Sequence, residues 1–193
     1  MDRRKIKTRR AVFAAFEKLL SKKRYRHITV SDILEEADIG RSTFYAHFET
    51  KDDLLNAMCA ELFDHVFEGE PPREAHHDFS EGDYSLEKRL AHMCHHLYEN
   101  RAEMLRLLSH EGADVYYGYF SRGLNSIFSR ELAAIKKQMK VSETVPDEFL
   151  IHQLSEGIIS ALRFWVDESM KTPPETMADW IYAVNFKVSD MWM

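Results

Sequence analysis

Apolar residues recur along this chain at intervals of three and four, in stretches too long for strands, and the pattern predicts helices from end to end. Residues 4–22 carry Val12, Phe16 and Leu19 at i, i+4 and i+7, with Ala15 and Leu20 widening the stripe. A polar connection, Lys22 to His27, follows, and within it Tyr25 is placed to plug a small core. Val30, Ile33, Leu34 and Ala37 then give one apolar face to a short helix. Thr29 is its natural N-cap, and Asp32, three residues on, completes a variant of the capping box. Asp38-Ile39-Gly40 breaks the pattern: Asp tolerates the left-handed conformation of a turn, and Gly40 can cap the next helix. That second short helix, about Arg41 to Phe48, turns Phe44 and Phe48 inward and leaves polar residues outside.

A fourth helix opens at Lys51-Asp52-Asp53-Leu54-Leu55, capped by Thr50, with the two acids at its positive end. It continues through Met58, Leu62, Val66 and Phe67 and joins the first three helices to the rest of the chain. Residues 69–84 read as a loop by composition. Helices are then expected over Ser85–Asn100, with Leu86, Leu90, Met93 and Leu97 inside; over Arg101–His110; and over Asp114–Lys140. Glu148–Met170 and Glu175–Met193 complete the set, separated by the turn Lys171-Thr172-Pro173-Pro174. The fold class is therefore all-α: a three-helix helix-turn-helix head over residues 1–50 and a helical body over 51–193. The last two helices are too apolar for one neighbouring surface. A two-fold dimer that pairs them into a four-helix bundle would cover them.

Charge sharpens the division. Net charge is −6 overall, yet residues 1–31 hold eleven Lys/Arg and two acids, a local +9 that leaves −15 for the remainder. A basic head on an acidic body suits a DNA-binding domain joined to a part that stays off DNA. Cys59 and Cys94 lack metal-finger spacing and are expected to be reduced core thiols. No run is apolar and long enough to span a bilayer, and no apolar stretch follows the basic first residues, so a cytoplasmic protein without a membrane partner is expected.

The outward residues of the second short helix are those that suit a DNA groove. Thr43, Tyr45 and His47 offer hydroxyl and ring N–H groups to phosphate oxygens. Arg41, Ser42 and Ala46 are candidates for base edges: Arg41 can pair bidentately with a guanine, and Ala46 can meet a thymine methyl. Lys51 is electrostatically odd at a helix start, unless that start faces a phosphate.

The stretch Thr29-Val30-Ser31-Asp32-Ile33, then Ala37, then Ser42-Thr43-Phe44-Tyr45-Ala46-His47-Phe48-Glu49-Thr50-Lys51-Asp52-Asp53-Leu54-Leu55, resembles the DNA-binding domain of TetR-type transcriptional regulators over about residues 5–58. Asp38 and Gly40 stand where the family commonly has Gly and Ser. Ser160-Ala161-Leu162-Arg163-Phe164-Trp165-Val166 with Thr172-Pro173-Pro174-Glu175 is similar to the end of one large C-terminal class of that family. The resemblance implies phosphate contacts for Thr43, Tyr45, His47 and Lys51. It also implies a homodimer on palindromic double-stranded DNA, and a small-molecule effector that acts through the linking helix, most often on a repressor.

Met93, Met104, Tyr116, Tyr117 and Phe120 are the candidate effector contacts, because tyrosines and methionines on the body helices suit the wall of a cavity for an amphipathic ligand. The alternative is a co-activator whose body binds a protein partner; a solid core at these residues would favour it. Two histidine-rich stretches raise a metal. His76-His77-Asp78 lies in the loop, while His92/His96 and His95/Glu99 are pairs four apart on a helix. Neither stretch shows a second ligand group at a recognisable spacing, so no metal or other cofactor is expected. Enzyme chemistry is excluded by the lack of a nucleophile elbow, a phosphate loop, a His-Glu-x-x-His zinc motif and a framed carboxylate pair.

Overall fold

A computed structural model describes residues 3–68, Phe79, 84–108 and 113–187. The described residues contain nine α-helices and no strand. These are α1 (Arg3–Leu20), α2 (Val30–Ala37), α3 (Arg41–Tyr45), α4 (Lys51–Phe63), α5 (Leu86–Glu99), α6 (Arg101–Leu108), α7 (Ala113–Met139), α8 (Asp147–Asp167) and α9 (Pro174–Phe186). A 3₁₀ turn, Tyr25–His27, precedes α2, and a π-helical turn, Asp64–Glu68, continues α4.

In the head, Val12, Phe16, Ile33 and Phe44 are fully buried, and α1 packs across α2. Local chemistry sets the boundaries. Thr29 and Asp32 form a reciprocal capping box on α2, and Thr50 and Asp53 form another on α4. Asp38 takes the left-handed conformation at φ 50° and closes α2 through N–H bonds to Leu34 and Glu35. Helix α3 is shorter than its sequence pattern suggests. Regular α structure ends at Tyr45, and Ala46 to Phe48 continue as turns, His47 N–H to Phe44 O at 2.8 Å and Phe48 N–H to the same carbonyl at 2.9 Å.

The core runs without a break from the head into the body through α4. Leu54 and Leu55 are buried at its start, and Phe63, Val66 and Phe67 at its end, where Phe63 meets Phe120 of α7 with ring centroids 4.6 Å apart. Helices α5 and α9 lie side by side, as do α7 and α8. Arg89 of α5 holds Glu131 of α7 through two bonds of 2.6 and 2.7 Å. Trp165 is fully buried, and its indole N–H donates to Thr172 O at 2.9 Å, tying α8 to the turn before α9. Gly157 faces α9 closely: a Cβ there would overlap Oδ1 of Asn185, whose side chain would have to move aside.

Helix ends differ from the sequence pattern by a few residues. α1 stops at Leu20 rather than residue 22, and α8 starts at Asp147 and stops at Asp167, before Ser169 and Met170 turn left-handed at φ 57° and 50°. Most of the 69–84 loop with His76-His77-Asp78, residues 109–112, and Val188 and Met191 lie outside the described residues.

The α2 capping box is also an acid-labile element. Lys23 Nζ donates to Asp32 Oδ1 at 2.7 Å, and the Thr29 backbone N–H and hydroxyl donate to Oδ2 at 2.8 and 2.9 Å. The lysine bond foremost, then the threonine bonds, lower the Asp32 carboxyl to about 2 from an ordinary 3.8. A carboxylate held down in the fold stabilises it fully above the ordinary value and loses that effect as pH falls through the lowered one. Asp32→Asn is therefore expected to be less stable than the parent at neutral pH, with the gap closing between pH 4 and about 2 in acid unfolding curves. A gap that stays constant across that window contradicts this role.

Candidate nucleic-acid interface

The outward face of the helix-turn-helix is built by burying its opposite face. Phe44 is fully buried and Phe48 nearly so, which turns Arg41, Ser42, Tyr45 and Ala46 to the exposed side. Tyr45 is 49% exposed although its ring edge rests on Phe44. Thr43 and His47 are half-buried at the margin, His47 tilted against Phe48. The structure thus gathers six of the seven candidate DNA residues on and around one short helix.

Lys51 stands apart. Its ammonium donates to the backbone carbonyls of Tyr25 at 2.9 Å, Ile28 at 3.1 Å and Arg26 at 3.5 Å, and lies 4.4 Å from the centroid of the Tyr25 ring. All three of its donors are turned to the protein's own backbone. The structure gives this lysine an internal role: it closes the 3₁₀ turn and fastens it to α4. Asp52 beside it accepts the Tyr25 hydroxyl bond. Burial first, then that bond, pushes the Tyr25 phenol up.

The basic charge of residues 1–31 is also partly consumed within the fold. Lys18 and Lys22 pair with Glu36, Lys23 with Asp32, and Arg9 with Glu61 of α4 at 2.6 Å. The Lys18 bond in particular lowers the Glu36 carboxyl. Lys5, Lys7, Arg10, Arg24 and Arg41 are exposed.

Behind the head lies a cavity of about 190 Å³. Its wall comes from Glu17 and Leu20 of α1, Met58 and Cys59 of α4, His96 of α5, Glu103 and Met104 of α6 and Tyr116 of α7, among others. Of the five candidate effector contacts, Met104 and Tyr116 line it. Met93, Tyr117 and Phe120 are buried in the surrounding core, Tyr117 beneath the guanidinium of Arg163 at 4.0 Å and Phe120 stacked on Tyr116. The buried Tyr116 hydroxyl has no hydrogen-bond partner among the described residues. Glu17, Glu103 and His96 are wall residues that spacing does not reveal, because the cavity joins α1 to a helix more than eighty residues away. Burial, and secondly the Glu103 carboxylate, raise the Glu17 carboxyl. Cys59 and Cys94 are buried free thiols, and burial pushes Cys59 up to about 12. No described helix is long and apolar enough to cross a membrane.

A helix-turn-helix head with an exposed recognition helix, carried by an all-α body, defines a helix-turn-helix transcriptional regulator. Residues 12–58 match the family model for bacterial regulatory proteins of the tetR family, and residues 84–185, more than half of the chain, match that for a transcriptional regulator C-terminal region. The chain belongs to the TetR family of transcriptional regulators, which are not enzymes.

Among its relatives is the uncharacterized HTH-type transcriptional regulator YxbF of Bacillus subtilis (strain 168), 32% identical over 187 residues, 92% of this chain and 44% of that protein. The dhaKLM operon transcriptional activator DhaS of Lactococcus lactis subsp. lactis (strain IL1403) is 37% identical over 54 residues, 28% of this chain and 29% of that one. The chain spans less than half the length of these curated relatives. A solved TetR transcriptional regulator from Streptococcus agalactiae 2603V is 27% identical with a TM-score of 0.66, covering 96% of this chain and 97% of that one. The solved dihydroxyacetone kinase operon activator DhaS shares the fold at 19% identity, with a TM-score of 0.63 over 95% of this chain and 98% of that one.

Lys51→Met separates the internal role of this lysine from a phosphate contact. Hydrogen bonds to a charged group contribute about 1.5–3 kcal/mol, so a loss of that order in urea unfolding is expected. Unchanged stability with weakened DNA binding would return Lys51 to the phosphate.

Proposed function

We propose that this chain is a DNA-binding regulator that acts as a homodimer on a palindromic operator and responds to a small effector, most readily as a repressor. The head is proposed to comprise residues 1–50 and the body 51–193. One observation supports the dimer and the DNA face together. Among the described residues, the large apolar side chains left exposed are Tyr45, at 49%, and Phe149, Phe164, Trp180 and Val184, at 50–60%. The first belongs to the recognition helix and the other four to α8 and α9. Trp180 and Val184 are four apart and share a helix face. Two copies that pair these helices would cover all four in a four-helix bundle.

In this reading each α3 enters a major groove. Arg41, Ser42 and Ala46 face base edges, and Thr43, Tyr45 and His47 face phosphates. Lys51 acts at one remove, by holding the 3₁₀ turn on α4. Phosphate contacts supply much of the affinity and make it fall with salt. The effector would occupy the cavity beside α4. At about 190 Å³ it is smaller than the roughly 300–1,000 Å³ of sites for drug-sized ligands, so the effector is expected to be small. Met104 and Tyr116 would touch it, and the Tyr116 hydroxyl would bond to it. Met93, Tyr117 and Phe120 would support the wall from behind. An effector shifts the distance between the two heads only if it binds the two spacings with different affinity.

A second reading keeps the DNA head and gives the body a protein partner, with activation as the outcome. The small cavity and the relative named as an activator favour it.

Three variants test the first reading. Arg41→Ala is expected to relax preference at one base position of the operator, by about 1–3 kcal/mol, while Tyr45→Phe weakens all sequences alike. Trp180→Glu is expected to give monomers in sedimentation and to abolish tight operator binding. Equal loss on every sequence with Arg41→Ala contradicts base reading. A stable dimer with Trp180→Glu contradicts the α8–α9 interface.

A further inference from the structure

We propose that His65, His92 and His96 form a binding site for a divalent transition-metal ion, with zinc the closest chemical match. His92 and His96 lie one turn apart on α5, and their Nε2 atoms are 2.9 Å from each other. The third imidazole comes from another element. His65, on the π-helical turn that ends α4, stacks edge-on against both, with ring centroids 5.0 Å from His92 and 4.9 Å from His96. One ligating nitrogen from each of the three lies within 4.8 Å of the others. Nitrogens bound to one tetrahedral zinc at about 2.0–2.1 Å are separated by about 3.3 Å, so small side-chain rotations bring the trio onto a shared ion.

The surroundings are those of a ligand set rather than of a surface patch. His92 is fully buried, and His65 and His96 are half-buried. The Nδ1 of His92 bonds to the hydroxyl of Tyr84. In the tautomer that carries its proton on Nδ1, His92 donates to the tyrosine oxygen and its Nε2 keeps a lone pair for an ion, the usual support of a metal-bound histidine. Phe79 covers the ring of His92 at 5.0 Å and so helps keep water from it. A π-helical turn is uncommon and is frequently found at functional sites, and here it carries His65. Three neutral imidazoles without a thiolate or carboxylate suit zinc, copper or nickel rather than magnesium or calcium. A bond between His92 and His96 alone would account for two of the rings. It would not account for the convergence of His65 on both.

The site joins the end of α4 to α5, and His96 also lines the cavity, so an ion there would couple the helix that leaves the head to the effector chamber. This consequence rests on the regulatory reading; the metal site itself does not.

The test uses the full chain, stripped with a chelator and titrated with Zn(II) and, for its visible spectrum, Co(II). One ion per chain is expected, with a Co(II) spectrum of low coordination number and a rise in Tm on zinc addition. His65→Gln and His96→Gln are expected to weaken binding at least tenfold, and Tyr84→Phe about 10–100-fold as an outer partner. His27→Gln and His152→Gln, at exposed positions outside the trio, should leave it unchanged. His65 is half-buried, so its variant reads out the site even if changes at buried His92 prevent folding. The proposal is overturned if no ion binds at micromolar concentration, if binding persists in both His65→Gln and His96→Gln, or if it is lost equally in the two control variants.

Discussion

The ammonium of Lys51 fastens the 25–28 segment of the head to the helix that leads into the body. It draws three carbonyls of the 25–28 segment onto the first turn of α4, over the face of the Tyr25 ring. Asp52 takes the Tyr25 hydroxyl, and Asp53 completes the Thr50 capping box, so successive side chains of one helix start each meet a separate demand of the fold. The 3₁₀ turn leads directly into α2, and α2 with α1 forms the platform for α3. The orientation of α3 is thus tied to α4 through charged and aromatic contacts at its first turn, with the Arg9–Glu61 pair as a second tie from α1 further along the helix.

The other end of α4 is fastened differently. Phe63, Val66 and Phe67 sit in the body core, and Phe63 meets Phe120, which stacks on Tyr116 at the cavity wall. Between the two ends, Leu55, Met58, Cys59 and Leu62 line the cavity. One helix therefore carries the anchor of the head, a wall of the chamber and, on its π-helical continuation, His65. Closely packed elements move as units rather than deforming gradually. A change in what fills the chamber can reach α3 through α4 and through Glu17 and Leu20 of α1, which also line it.

The elements that could be read from the sequence are those whose chemistry is local. Thr29 with Asp32, Thr50 with Asp53, and left-handed Asp38 act within three residues of one another, and all adopt the conformations their types imply. Phe44 and Phe48 point inward because their spacing leaves them no other face. The features that escaped the pattern depend on partners far along the chain. The carbonyls that hold Lys51 lie 23–26 residues upstream, and the acids that neutralise Lys18, Lys22 and Lys23 sit on α2. Met93 and Phe120 follow the same helical period as the cavity residues, and periodicity does not distinguish a core contact from a cavity wall. His65 stands 27 residues before His92, at no characteristic spacing, and the π turn changes the direction its side chain takes. Of the histidine pair His92 and His96 on α5, His92 is fully buried, which the spacing of the pair does not reveal.

Everything in the regulatory reading turns on the α3 surface meeting DNA as one half of a symmetric pair. The most direct measurement is selection of the purified full chain on random duplexes, sequenced after binding at two salt concentrations. The expected result is an enriched palindrome with half-sites about one helical turn or a multiple of it apart, and affinity that falls steeply as salt rises. Enrichment of a single asymmetric site, or no enrichment from an intact dimer, would contradict it.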